Sequence, residues 1–292
     1  MNLIDPARTF AFVAAVCIAS MCGSARSEEA LVPAPEAHLA REFSALVTPQ
    51  LLPPTAVAAD YAVALEAELS GAGADAAKPR FVVQVDRSPN VQALLLWWGK
   101  AGGWQLVGAT TVSTGLAGRF DHFETPLGVF DHTLRNPDFR AEGTKNSLGI
   151  RGYGRKGMRV YDFGWVVTEK GWGDHAQMAM RLQMHATDPD LLEQRLGTAQ
   201  SKGCIRIPAT LNEFFDRFGV LDEDYDLGLA AGKAPWVLRK ERTPTPWSGR
   251  YLVVTDSLAA ARPVWAHQNS YVGVRFDRSH ARSETMIRNG TC

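Results

Sequence analysis

One cysteine in this sequence has the surroundings of a nucleophile. Cys204 lies in the run Ser-Lys-Gly-Cys-Ile-Arg (residues 201–206), directly after Gly203 and between the cations Lys202 and Arg206. Nearby positive charge favours the thiolate, which is the nucleophilic form of cysteine, and so lowers the thiol pKa. Gly203 lets a substrate approach the backbone closely, and the amides of residues 203 and 204 could face the oxygen of a tetrahedral intermediate. Taken alone, such a cysteine would more often be structural.

A cysteine nucleophile needs a base, and His185 is the candidate. It ends the run 178–185, where apolar and polar residues partly alternate as in a strand. A strand, a helix and a returning strand could bring His185 to Cys204. Each residue alone has an ordinary structural explanation, whereas the pair favours chemistry. Zinc is the competing interpretation, but it needs three or four ligands and no second cysteine or His-x-His pair stands nearby. The sequence therefore predicts neither a metal nor a cofactor.

Other residues are weaker candidates for ligand binding. Residues 146–153 are glycine-rich and offer Arg151 and Tyr153 to a ligand, although the segment could equally be a simple turn. The aromatic residues in 162–165, together with Trp172, could line a groove, but the pattern favours packing.

The N-terminus predicts export. Arg8 precedes an apolar run over residues 9–22, and small residues follow up to Ala25. This order is typical of a secretory signal with cleavage after Ala25, and the alternative is an uncleaved membrane anchor. Removal of residues 1–25 would leave only Cys204 and Cys292. Two cysteines are too few for a secreted fold that is held together by several disulfides. A disulfide between these two cysteines is the alternative to a free thiol.

Composition and charge narrow the class of partner. The chain of 292 residues is 46% hydrophobic, which is ordinary for a globular protein. Lys plus Arg and Asp plus Glu both number 31, so nothing indicates a nucleic-acid partner, which usually requires a basic excess. Apart from the N-terminal run, no segment has the roughly 20 apolar residues of a membrane span, so we expect no membrane contact beyond export.

The first part of the chain after the signal has a helical pattern. Residues 26–37 are acidic and proline-rich, as in a linker. Residues 38–47 and 55–70 carry apolar side chains at helical spacing. We therefore predict that 26–80 form a linker and a helical extension.

From residue 81 the pattern changes to short β-rich runs, which favour a mainly antiparallel β domain with a few helices, that is, a mainly β (α+β) fold. The runs cover 81–85, 91–98, 104–113 and 159–168. One helix is predicted over 191–196, after Asp188 and Pro189. A second is predicted from Thr210, whose spacing to Glu213 is that of a capping box. Residues 226–292 form a C-terminal extension, in which 236–238 and 251–254 are predicted strands.

Residues 81–225 resemble the YkuD-type catalytic domain of L,D-transpeptidases. The resemblance rests on three ordered motifs: Val112 to Gly115 followed by Thr125 to Phe130, Met184 to Thr187, and Ser201 to Arg206. It implies a β-sandwich domain that acts on the peptide stems of peptidoglycan in the periplasm. The cysteine attacks the third residue of a donor tetrapeptide stem and releases D-alanine, and an acceptor amine then forms the cross-link. Carbapenems acylate such cysteines.

Carried over by motif, Cys204 is the nucleophile and His185 the general base. The carbonyl of Ala186 orients the imidazole, while Gly203 and Arg206 shape the site. Expected substrate contacts are Ser201, Lys202 and Arg206 of the cysteine motif, with Arg151 and Tyr153.

One residue departs from the family pattern. Where the common motif reads Ser-His-Gly-Cys, this chain has Lys202, which lacks an acceptor nitrogen. Lys202 could hold a stem carboxylate, raise the thiolate fraction, or merely point to solvent. The departure leaves open whether the cross-link is 3,3 or 1,3. A hydrolase that resolves the thioester with water, and a non-catalytic peptidoglycan-binding module, are the alternative functions.

Overall fold

A computed structural model describes residues 34–75, 78–100 and 102–267. The predicted signal segment and Cys292 lie outside the described residues. The helices are α1 (Pro35–Leu46), α2 (Thr55–Gly71), α3 (Ala209–Phe218) and α4 (Glu223–Ala230). The strands are β1 (Arg80–Asp86), β2 (Ala93–Lys100), β3 (Gly103–Thr111), β4 (Gly128–Asp131), β5 (Phe139–Arg140), β6 (Arg159–Glu169), β7 (Gln177–Ala186), β8 (Ile205–Ile207) and β9 (Tyr251–Thr255).

The strands form two sheets. One has the order β3-β2-β1-β9-β4 and the other the order β5-β6-β7-β8. Neighbouring strands are antiparallel except for the pairs β1–β9 and β7–β8, which are parallel. The fold is thus mixed α/β and mostly strand, which confirms the β-rich prediction. The strands predicted over 81–85, 91–98, 104–113, 159–168 and 178–185 are all present.

A single hydrophobic cluster joins the two sheets. Val83 and Val85 of β1 belong to it together with Met184 of β7 and Ile205 of β8. The opposite face of β1 is also buried, because Val82 belongs to a second cluster that includes side chains of α2. Burial on both faces explains why β1 is a continuous apolar run in the sequence. Each such side chain contributes about 1.5–3 kcal/mol when fully buried.

The two N-terminal helices are present as predicted and pack on the sheets. Phe43 of α1 is buried against Phe214 of α3, with ring centroids 5.5 Å apart. Leu65 and Leu69 of α2 are buried in the second cluster. In the described part of the chain, no helix has the length and apolar character needed to cross a membrane.

Two local predictions were wrong because side chains bond elsewhere. The helix predicted over 191–196 is only a 3-10 turn at Glu193–Arg195. Helix α3 begins at Ala209 without the capping box. The Thr210 hydroxyl instead donates to the carbonyl of Thr48, 2.8 Å away. The amide of Ala209 donates to the Glu193 carboxylate at 2.5 Å, so a distant side chain caps the helix.

The region after residue 226 also differs from the prediction. Residues 236–238 form a turn and not a strand, and the carbonyl of Val237 accepts a hydrogen bond from the Arg140 side chain. The strand predicted over 251–254 is β9, which pairs with both β1 and β4. This late segment therefore lies within the sheet.

Candidate active site

The parallel pairing of β7 with β8 places the predicted base beside the strand that follows the predicted nucleophile. Met184 is level with Ile205, and His185 is level with Arg206. Paired residues point to the same face, and successive residues alternate between faces. His185 and Arg206 therefore share one face, while Met184 and Ile205 point into the core, and Cys204 lies in the turn directly before β8.

His185 is held as a neutral base. Its Nδ1 lies 2.8 Å from the carbonyl oxygen of Ala186, so Nδ1 carries the proton and donates it, leaving Nε2 as an acceptor. Nε2 is buried and has no hydrogen-bond partner among the described residues. Burial lowers the pKa of His185 to about 3; the Ala186 carbonyl opposes this shift and the Arg206 cation adds to it. The structure thus gives Ala186 the orienting contact that the sequence predicts.

Tyr153 covers the imidazole. Its ring meets that of His185 edge-on, with centroids 4.7 Å apart, and its hydroxyl lies 3.2 Å from the Gln183 side-chain oxygen. Gln183 donates to the Asp162 carboxylate at 2.7 Å, and Arg181 Nε donates to the same carboxylate oxygen at 2.7 Å. The structure therefore brings Tyr153 to the site and shows a polar network beneath it that the sequence did not indicate.

Arg151 is close to Tyr153 in sequence, but its side chain forms ion pairs with two carboxylates. Its guanidinium lies 2.7 Å from the Asp190 carboxylate and 3.4 Å from that of Asp188. Its amide also donates to Asp188 at 2.7 Å. These contacts fix the loop that carries Tyr153, so in this structure Arg151 positions the loop and does not face His185.

Ser201 shapes the turn that presents the cysteine. Its Oγ donates to the carbonyl of Cys204 at 2.5 Å and accepts the amide of Gly203 at 3.0 Å. Ser201 is fully buried, so its role here is structural. The amide of Gly203 is engaged with this hydroxyl, and an oxyanion role for it would require that hydrogen bond to be shared. Cys204 Sγ is buried and lies 3.6 Å from the carbonyl oxygen of Arg181.

Gly203 meets a requirement that other residues would not. Its φ is +130°, which side-chain-bearing residues rarely adopt. A Cβ there would lie 2.8 Å from Met180 Cε and 3.2 Å from Phe123 Cβ. Its carbonyl accepts a hydrogen bond from Thr125 Oγ1 at 2.8 Å, and that hydroxyl accepts the amide of Gly115 at 2.9 Å. The motif segments at 112–115 and 125–130 thus anchor the cysteine turn.

Lys202, the residue that departs from the family pattern, lies at the edge of the site. Its Nζ is 2.5 Å from the Asp121 carboxylate, and its side chain is 27% exposed. The positive charge is therefore already compensated. Arg206, by contrast, acts on His185 directly enough to lower its pKa.

Cys204 is disulfide-bonded. It is the one cysteine within the described ranges, and Cys292, the partner considered from the sequence, lies outside them. Covalent catalysis by this sulfur requires prior reduction.

A second polar cluster, which the sequence did not indicate, is buried elsewhere. Arg159 donates to Asp138 at 2.6 Å and to Asp222 at 2.7 and 3.0 Å. His132 contacts the Asp138 carboxylate at 2.8 Å and the Leu221 carbonyl at 2.7 Å. These residues are scattered along the chain and each is of a type usually exposed, so no sequence pattern reveals the cluster. Among the described residues, no group of three or more His, Cys, Asp or Glu side chains is arranged to bind a metal.

Comparisons with known proteins give weak structural likeness. No family model matches, and no curated protein matches in sequence. A fused Zn-dependent amidase/peptidase/peptidoglycan-binding domain-containing protein from Clostridium acetobutylicum is similar with a TM-score of 0.29 and 12% identity over 70% of this chain and 64% of that one. The helical cell shape determining protein Pgp2 from Campylobacter jejuni gives 0.30 and 12% over 69% of this chain and 58% of that one. Bd1075 from Bdellovibrio bacteriovorus gives 0.25 and 14% over 59% of this chain and 50% of that one.

The chain spans less than two thirds of the length of each of these structures. Such low TM-scores and identities establish neither a shared fold nor a family.

Proposed function

We propose that this chain is a cysteine acyltransferase of the bacterial cell wall, an L,D-transpeptidase with a YkuD-like sandwich domain. The observation that carries the proposal is His185: it is fully buried, its Nδ1 is bonded to Ala186, its Nε2 has no partner among the described residues, and its strand pairs with β8, which directly follows Cys204. A buried imidazole usually has both nitrogens satisfied, so an unused acceptor next to a cysteine fits a base waiting for a proton.

The first half-reaction forms a thioester. The thiolate of Cys204 attacks the carbonyl carbon of the third residue of a donor tetrapeptide stem, and the C–N bond to the terminal D-alanine breaks. The leaving nitrogen takes the proton that His185 Nε2 received from the thiol. Because burial disfavours the charged imidazole, the imidazolium gives up this proton readily.

The second half-reaction transfers the acyl group. An amine on an acceptor stem attacks the thioester carbon, the C–S bond breaks, and His185 Nε2 takes the amine proton. The thiolate of Cys204 is regenerated. Arg206, on the same sheet face as His185, adds positive potential that favours the thiolate.

The proposal includes export to the periplasm by the N-terminal signal. It also includes a reductive step, in which a thiol or dithiol reductant converts the Cys204 disulfide to two thiols before turnover. Without this step the sulfur has no nucleophilic form.

The test is a product analysis on purified muropeptides with a dithiol reductant present. We expect release of D-alanine and cross-linked dimers, together with a mass adduct on Cys204 after treatment with a carbapenem. Cys204→Ala should stay folded and lose both, whereas the matched variant Cys292→Ala should keep both. Trimmed monomers without dimers would favour the hydrolase alternative, and full activity of Cys204→Ala would overturn the mechanism.

A further inference from the structure

Beyond the buried pair, the β6–β7 hairpin presents an exposed apolar surface. We call Trp165, Val167, Ala179 and Arg181 the hairpin strip. Trp165 is 67% exposed and Val167 is 69% exposed, and Ala179 is exposed as well. Large apolar side chains gathered on one exposed face commonly mark a binding surface.

The hairpin strip lies on the same face of β7 as His185. Along β7, residues 179, 181, 183 and 185 alternate with the core-facing residues and so point to one side. Trp165 is level with Arg181, and Val167 is level with Ala179. The face of β7 that carries His185 therefore continues along the strand onto the strip.

The strip lies beside Cys204, which is itself fully buried. On the other side, the Tyr153 ring covers His185. Cys204 Sγ lies 3.6 Å from the carbonyl of Arg181, a residue of the strip. A substrate held on the strip is thus next to the nucleophile.

The chemistry of the strip fits a sugar ring. The Arg181 guanidinium lies 5.9 Å from the centre of the Trp165 ring, and its Nε is fixed by Asp162. The face of an indole carries negative charge that attracts the weakly positive C–H groups of a pyranose. We propose that the hairpin strip binds a saccharide ring of the glycan strand that carries the donor stem. This inference rests on the proposed function.

The distances agree with this assignment. Cys204 Sγ lies 3.6 Å from the carbonyl oxygen of Arg181. Val167 and Ala179 lie two residues further along β7, roughly 7 Å away at a rise of about 3.3 Å per residue. The third residue of a stem is about 10 Å from its sugar, at roughly 3.3 Å for each of its residues. A stem with its third carbonyl at Cys204 thus places its sugar over the strip.

The experiment measures binding of glycan strands whose stems have been removed, by NMR titration or calorimetry with the full chain. Trp165→Ala should weaken binding about tenfold, which corresponds to the loss of one aromatic stacking contact. The matched control is Trp236→Ala, which removes a similarly exposed indole (70%) from a turn outside the strip. This control should bind like the wild type.

The outcomes separate this inference from the proposed function. Wild-type chain that does not bind stem-free glycan, or Trp165→Ala that binds it unchanged, would overturn the strip assignment even if D-alanine is released normally. Trp165-dependent binding without release of D-alanine would support the strip and count against the enzyme. With both activities present, Trp165→Ala should slow turnover of a disaccharide tetrapeptide and leave the free tetrapeptide unaffected.

Discussion

His185 and His132 are both fully buried, yet their surroundings are opposite. His185 has no carboxylate contact, and burial lowers its pKa to about 3. At His132, burial lowers the pKa too, but the negative charge of Asp138 outweighs this and the net shift is upward. His132 has a partner at each nitrogen, whereas His185 has one at Nδ1 and none at Nε2 within the described residues.

If the proposed function holds, the difference separates a histidine that transfers protons from one that stabilises the fold. A neutral imidazole with an unused acceptor can take a proton only when a substrate or a thiol supplies it. A charged imidazole that donates to a carboxylate and to a carbonyl has no nitrogen left to accept a proton. Burial is the same for both histidines and therefore does not distinguish the two roles. The hydrogen-bond partners of the two ring nitrogens do distinguish them.

The largest expected effect of a single change is on activity at His185. His185→Gln should lower D-alanine release by about 10²- to 10⁴-fold, because a general base is removed. The free energy of unfolding should change little, since Nε2 makes no hydrogen bond that would be lost. Steady-state kinetics and urea unfolding measure the two quantities. Unchanged kinetics would remove His185 from the mechanism.

Changes in the buried polar cluster around Arg159 and Asp138 should instead lower stability and leave activity unaffected. Asp138→Asn leaves Arg159 and His132 buried without one counter-charge, and should cost about 3–5 kcal/mol of stability. Asp131→Asn is the matched control, because its carboxylate pairs with Arg250 near the surface at 40% exposure and should cost at most about 1 kcal/mol. Carbapenem acylation per folded molecule should stay at the wild-type level in both. Equal destabilisation of the two variants would contradict the comparison.

The two histidines should make opposite contributions to the pH dependence of the free energy of unfolding. The unfolded chain protonates His185 near pH 6.5, and the folded chain only near 3. The free energy of unfolding of wild type relative to His185→Gln should therefore be highest above pH 6.5 and should fall as pH drops towards 3. His132 has a raised folded pKa, so the advantage of wild type over His132→Gln should be full below 6.5 and shrink as pH rises through that pKa.

Urea unfolding of the three proteins across this range checks both slopes. A His185 difference that grows on acidification, or a His132 difference that grows on alkalinisation, would show that the assigned charge states are wrong.

The smallest effect is expected at Lys202. Its ion pair with Asp121 is partly exposed, and such pairs contribute about 0–1 kcal/mol. Lys202→Met and Asp121→Asn should both unfold within about 1 kcal/mol of wild type. If Lys202 holds a stem carboxylate, Lys202→Met should raise KM while Asp121→Asn, which releases the cation, should lower it. Identical KM values in all three would leave Lys202 as a surface charge.

Much of the frame was predictable because it follows from local patterns. Strands such as β1 are continuous apolar runs, and α1 and α2 have apolar side chains at helical spacing. The sequence also predicts a strand that ends at His185, and β7 ends at Ala186. The sequence predicts a helix in the segment between His185 and Cys204. Asp188 does accept the amides of Asp190 and Leu191, as an N-cap does, yet the segment continues only into the 3-10 turn at Glu193–Arg195.

Features that depend on distant contacts were not predictable. The cap of α3 comes from Glu193. The ionic cluster around Arg159 joins residues far apart in sequence. The aromatic run at 162–165 was assigned to packing, which holds for buried Phe163 and fails for exposed Trp165. A register shift in β6 between Asp162 and Trp165 separates the two, and a lone sequence gives no sign of it.

The position of β9 has a consequence for how the chain folds. Thr255 and Val85, whose strands pair in the first sheet, are 170 positions apart, and β9 joins β1 to β4. The first sheet therefore remains in two pieces until the segment at 251–255 has been synthesised. Closing so long a loop is entropically costly and slows folding. The first sheet of a nascent chain is therefore incomplete for most of its synthesis, which would suit the export proposed above.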